Sequence, residues 1–134
     1  MAIEIEMILR LLLAAALGAI IGYQRERAGK AAGLRTHVLI CVGAALFTIA
    51  SLYGFGAATD PARIAAGVVV GIGFLGGGVI MRRVEEGIVA GLTTAATIWA
   101  VAGIGLAAGA GLYLVSAVAA AIMLIVLLLP HPIR

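Results

Sequence analysis

Charge is scarce in this chain, and the scarcity excludes whole classes of protein. Only 11% of its 134 residues are Asp, Glu, Lys or Arg, whereas 64% are hydrophobic. A water-soluble domain of this length needs many more charges on its surface, so a soluble fold is excluded. Cysteine occurs once, at Cys41, which rules out an intrachain disulfide. No Ser, His and Asp are placed on facing segments, and a phosphate-binding loop with its lysine is missing. Neither an enzyme nor a cofactor is expected. The acids Glu4, Glu6, Glu26, Asp60, Glu85 and Glu86 all fall at edges of apolar runs or in loops. A divalent cation crossing lipid needs hard oxygen ligands, usually including carboxylates, and charges inside spans mark ion routes. Autonomous metal transport therefore has weak support, and a bound metal stays an open question.

Between the sparse polar stretches lie five apolar runs, each near the ~20 residues a membrane helix needs. They are Ile5–Tyr23, His37–Gly54, Ile64–Met81, Leu92–Ala108 and Leu112–Leu129. Helices satisfy their backbone within each segment. A barrel would need alternating strands, and these runs do not alternate. The expected fold is all-α: one polytopic transmembrane bundle of about five spans, forming a single domain over residues 1–134. Gly103, Gly105, Gly109 and Gly111 crowd the join of the last two runs. They suit a very short hairpin, or else a broken helix that leaves four full spans.

The net charge of +3 is not a nucleic-acid footprint, because the basic residues sit in short loops. Arg25, Arg27, Lys30 and Arg35 fall in the stretch Gln24–Thr36, Arg82 and Arg83 follow the third run, and Arg134 ends the chain. The opposite side holds Arg63, with Arg10 close inside the first run. Positive residues favour the cytoplasm, so the N-terminus is expected outside and the C-terminus inside. Glu4 and Glu6, rather than basic residues, lead the first run, which argues against a signal peptide.

Several patterns carry more specific readings. Ala14, Gly18 and Gly22 form a ladder of small residues four apart, suited to close helix approach in lipid, as general packing or as a dimer seam. The basic loop, with Gly29 and Gly33, reads as an orientation signal touching headgroups, or as a docking surface for an anionic partner. Glu26 can pair with a neighbouring arginine there. His37 and Cys41 share a helical face and could begin a soft metal site. Nothing nearby completes it, so an interfacial histidine and a buried thiol are the plainer reading.

Asp60-Pro61-Ala62-Arg63 suits a helix start. Asp60 would cap, Pro61 would take the first position, and Arg63 would pair with Asp60. The alternative is an ionisable site at the outer mouth. The third run holds Gly67, Gly71, Gly73, Gly76, Gly77 and Gly78, which point to several sides of a helix. Either that helix is central, with close neighbours all round, or it unwinds and exposes carbonyls. The dinucleotide-like spacing from Gly71 to Gly76 lies inside a span and lacks the strand that pattern needs.

Arg82 to Gly87 reads as a tight cytoplasmic turn. Thr93 and Thr97 share a face four apart beside Thr94; their hydroxyls glue helices together or line a ligand path. Trp99 falls mid-run and is expected to pack. The fifth run is expected to face lipid, with Pro130 stopping it and His131 at the interface.

Three long blocks add a further reading. They are GAIIGYQRERAGKAAGLRTHVLICVGAALFT (residues 18–48), DPARIAAGVVVGIGFLGGGVI (60–80) and GLTTAATIWAVAGIGLAAGAG (91–111). In order and content they resemble the membrane domain of the MgtC/SapB family, with Gly67 replacing an amide and Gly77 an alanine frequent in relatives. The resemblance implies a bacterial inner-membrane protein of about five spans, in the short form without a soluble C-terminal domain. It implies a link to magnesium limitation and to survival inside host cells, and restraint of the F-type ATP synthase through contacts within the membrane. It assigns Arg25, Glu26, Arg27, Gly33, Arg35, Thr36 and His37 to one motif of the family. Asp60, Pro61, Arg63, Gly71, Gly73, Gly76, Gly78, Thr93, Thr94 and Trp99 belong to later ones. The expected function is regulation by helix contact with a second copy, as a homo-oligomer, or with another membrane protein; the alternative is transport of magnesium or another small solute.

Overall fold

A computed structural model describes residues 2–84 and 91–130, with the backbone alone over 81–84. It contains five helices: α1 (Ala2–Arg27), α2 (Leu34–Tyr53), α3 (Ala62–Val84), α4 (Leu92–Gly109) and α5 (Tyr113–Leu127). Among the described residues there is no strand. The first four are long and apolar enough to cross a membrane. The fifth has 15 residues and rises about 22 Å, against a hydrocarbon core of about 30 Å. The chain is a multi-pass membrane protein with four long spans and a shorter fifth helix.

Local chemistry sets the helix ends. Gly29 turns the chain after α1 with φ 73°, and the Lys30 N–H reaches back to the Arg25 carbonyl, the usual glycine stop. Asp60 Oδ1 accepts the Ala62 N–H at 3.0 Å, so it caps α3 as its position implies. Gly111, at φ 87°, makes the α4–α5 join a short hairpin, and the Leu112 N–H returns to the Ala107 carbonyl. Two helices meet there, not one broken helix.

Small residues build the core, and α1, α2 and α4 form it by mutual contact. A Cβ on Gly18 would lie 2.8 Å from the Cys41 Cβ, and one on Gly22 would lie 2.8 Å from the Leu34 Cα. The Ala14–Gly18–Gly22 ladder is thus spent on α2 of the same chain. Against the same face of α2, a Cβ on Gly109 would come within 2.6 Å of the Ala45 carbonyl, and one on Gly105 would overlap that of Cys41. These two glycines serve the α2–α4 seam rather than the hairpin. Dispersion at such close approach is what holds helices together in lipid.

The third helix corrects the sequence reading on both counts. It is continuous from Ala62 to Val84, so no carbonyls open by unwinding. Nor is it central: between residues 62 and 80, Gly76 alone is buried. A Cβ on Gly76 would sit 3.5 Å from the Ala95 Cβ, whereas Gly67, Gly71, Gly73, Gly77 and Gly78 meet no heavy atom within 4 Å. With α1 already seated against α2 and α4, α3 is left at the edge, touching α4 and barely touching α2. Trp99 is likewise exposed rather than packed, because it lies on the flank of α4 away from α1 and α2. Arg82 and Arg83 belong to the last turn of α3, not to a turn between helices. Glu85, Glu86, His131 and Arg134 lie outside the described residues. As expected of a lipid-facing segment, α5 buries only Ser116 and Ala120.

Candidate functional site

Where the C-terminus of α1 meets the N-termini of α2 and α4, four polar side chains are closed off from solvent. They are Arg25, His37, Thr94 and Thr97, with His37 fully buried. Gly22 and Gly33 let the helices close around them. Arg25 Nη2 donates to Thr94 Oγ1 at 3.0 Å. His37 Nδ1 lies 2.9 Å from the Gly33 carbonyl, and since that oxygen only accepts, Nδ1 carries the proton. His37 Nε2 lies 3.0 Å from Thr97 Oγ1, spanning the α2–α4 contact. The Thr97 hydroxyl is also 2.8 Å from the Thr94 carbonyl.

Arg25 is the unusual member. It is 3% exposed, yet no carboxylate pairs with it among the described residues, and its Nε lacks a hydrogen-bond partner. Gln24 Oε1 beside it is also buried and unpartnered. A buried guanidinium without an anion costs several kcal/mol of the ~20 its idealised transfer would need. A charge kept in a span at that cost makes Arg25 a candidate for function. The sequence reading put Arg25 in a basic loop and His37 at the interface; both are interior. It also paired Thr93 with Thr97, but Thr93 is exposed and the buried pair is Thr94 and Thr97, three apart.

Glu26 is used differently from the arginine pairing expected. Its Oε1 accepts the Leu34 N–H at 2.9 Å and so caps α2 from the preceding helix. A Cβ on Gly33 would lie 2.5 Å from that oxygen, so the glycine clears the way. Arg35 remains exposed. Cys41 is fully buried beneath Gly18. Among the described residues no three His, Cys, Asp or Glu side chains gather to hold a metal.

A second cluster occupies the opposite end. Arg10, 8% exposed, donates from Nε to Glu6 Oε2 at 3.0 Å and from Nη1 to the Gly109 carbonyl at 3.0 Å. Its guanidinium lies 5.3 Å from the centroid of the Tyr53 ring, and Tyr113 donates to the same Glu6 oxygen. Sequence reasoning took Arg10 for an orientation charge and Glu6 for an edge acid. Their spacing of four on one helix was the available signal. At this end Asp60 serves as a cap, and it forms no ion pair with Arg63, whose side chain stays exposed.

Comparison with known proteins matches the sequence to one family. The family model described as the MgtC family covers residues 11–134. The chain is 51% identical over 115 residues to "Putative magnesium transporter YhiD" of Escherichia coli K12, which covers 81% of this chain and 53% of that one. It is 52% identical over 105 residues to "Protein MgtC" of Salmonella typhimurium LT2, covering 78% and 43%. With an uncharacterized protein of Haemophilus influenzae it shares 46% over 125 residues, covering 87% and 52%. The chain spans about half the length of the curated relatives it matches. No solved structure matches it.

Proposed function

The chain belongs to the MgtC family, and on that premise we propose that it is a regulatory protein of the bacterial inner membrane, serving adaptation to low magnesium and survival inside host cells. It acts by lateral helix contact. The observation that carries this reading is the state of α3. One flank of that helix packs on α4 through Gly76, while a Cβ on Gly73 or Gly77, one turn apart, would meet no heavy atom within 4 Å. Phe74 between them is 83% exposed. Small residues four apart on an uncovered helix are the surface that membrane helices use to dock. The partner in this reading is a membrane helix of the F-type ATP synthase, the association implied by the family resemblance; a homo-oligomer would use the same face. Basic residues at the Arg27, Lys30 and Arg35 end put that end in the cytoplasm.

Magnesium transport is the second reading, favoured by the name of the Escherichia coli relative. Such a path needs oxygen ligands at depth, whereas among the described residues the buried charged groups are Arg25 and Arg10.

Complementation separates the two. A Cβ at position 77 meets no heavy atom within 4 Å, so Gly77→Leu should fold normally and lose support of growth at low magnesium. Purified protein in liposomes should then show no magnesium uptake above empty vesicles, with or without Asp60→Asn. Full complementation by Gly77→Leu, or robust uptake lost on Asp60→Asn, would replace regulation by transport.

A further inference from the structure

An apolar crevice of about 740 Å³, open along one side, runs between α2 and α3. Leu39, Gly43 and Phe47 form part of its α2 wall, Gly67 and Gly71 part of its α3 wall, and Arg63 stands at one end. The glycines keep it open: a Cβ on Gly43, Gly67 or Gly71 meets no heavy atom within 4 Å. From Arg63 to Leu75 the crevice follows α3 for about 18 Å, close to the ~15 Å depth of one leaflet's hydrocarbon. Its apolar walls and this length suit a polymethylene chain.

The charge at its end specifies the rest of the ligand. Arg63 is the polar residue of the lining and is exposed. Its side chain makes no ion pair or hydrogen bond among the described residues. The acid nearest in sequence, Asp60, is engaged by the Ala62 N–H. A guanidinium at the mouth of an apolar slot one leaflet deep fits a lipid phosphate, which it can grip through paired N–H groups.

We propose that the α2–α3 crevice is a specific site for an anionic phospholipid, one acyl chain lying along Gly43, Gly67 and Gly71 and the phosphate held by Arg63. The proposal depends on the chain lying in a bilayer and not on the regulatory reading, so either can fail alone.

The full chain is reconstituted in nanodiscs containing a phospholipid with a photoreactive group midway along one acyl chain. The headgroup is either phosphatidylglycerol or phosphatidylcholine, and adducts are mapped by mass spectrometry. Phosphatidylglycerol should label Leu39–Phe47 and Ile64–Leu75 about fivefold more than phosphatidylcholine, the preference one basic residue gives at an anionic surface. Arg63→Gln should abolish that preference and leave the phosphatidylcholine signal intact. Gly71→Leu, or Gly43→Leu from the opposite wall, should reduce both signals without lowering the melting temperature. Equal labelling by the two headgroups in the unsubstituted chain, or labelling indifferent to both leucines, overturns the proposal. So does a disulfide between Gly71→Cys residues of two copies that displaces the label, because it assigns the crevice to self-association.

Discussion

The His37 imidazole Nε2 lies 3.0 Å from the Thr97 hydroxyl, and this contact ties α2 to α4 at the same level where Arg25 ties α1 to α4 through Thr94. Three helices are thereby keyed to one register by side chains that have no access to water. Removing the hydroxyl leaves a ring nitrogen buried without a partner, at a cost of about 1–3 kcal/mol. Thr97→Val should therefore lower the thermal midpoint in detergent, while Thr97→Ser should restore it. Equal midpoints for all three proteins would show that the contact does not contribute.

Arg25 makes an opposite prediction. Its guanidinium is buried with one side-chain hydrogen bond and no carboxylate among the described residues. Exchange of a buried charge for an apolar side chain of similar length is often neutral or stabilising. Arg25→Met should keep or raise the thermal midpoint and abolish support of growth at low magnesium. A large loss of stability would mean that Arg25 is structural and that the polar cluster is not a functional site.

Glycines in α4 should respond according to what faces them. A Cβ on Gly105 would lie 2.9 Å from the Ala44 Cβ, while one on Gly103 meets nothing. Gly105→Ala should cost about 1–3 kcal/mol by overpacking. Gly103→Ala should leave stability unchanged or raise it by up to about 1 kcal/mol. Calorimetry of the two variants in one detergent tests the α2–α4 seam, and the same loss at both positions would contradict it.

At the opposite end, Arg10 reaches Glu6, the Gly109 carbonyl and the Tyr53 ring together. Lysine offers a single ammonium in place of this fork. Arg10→Lys should lower the thermal midpoint clearly, and more than Glu6→Gln, which leaves the Gly109 and Tyr53 contacts in place. A midpoint for Arg10→Lys equal to that of the unsubstituted chain would show that the fork is dispensable.

The five helices were legible in the sequence because apolar runs near membrane length, a capping aspartate at position 60 and a glycine-rich join leave few alternatives. Which helix lies at the centre was not legible. Glycine content says that close approach is tolerated, not that a neighbour is present. Hence α3, with the most glycines, lies at the edge, whereas Gly105 and Gly109, read as turn residues, hold the tightest seam. The site was half legible. His37, Thr94, Thr97 and Arg25 were all singled out, but a helix end one turn longer than its apolar run carried Arg25 from the loop into the interior. Arg10 and Glu6 went unread because each was weighed as a lone charge near a membrane edge, although their spacing of four made them a pair.

Cysteine crosslinking from α3 in native membranes tests the contact account most directly. With Cys41 replaced by alanine, a cysteine at Gly77 and, as a control, one at Gly18 are treated with a short bifunctional reagent. The account predicts an interchain adduct from position 77, to an ATP synthase membrane subunit or to a second copy, and none from position 18, which is sealed against α2. Only uncrosslinked single chains from position 77 would contradict it.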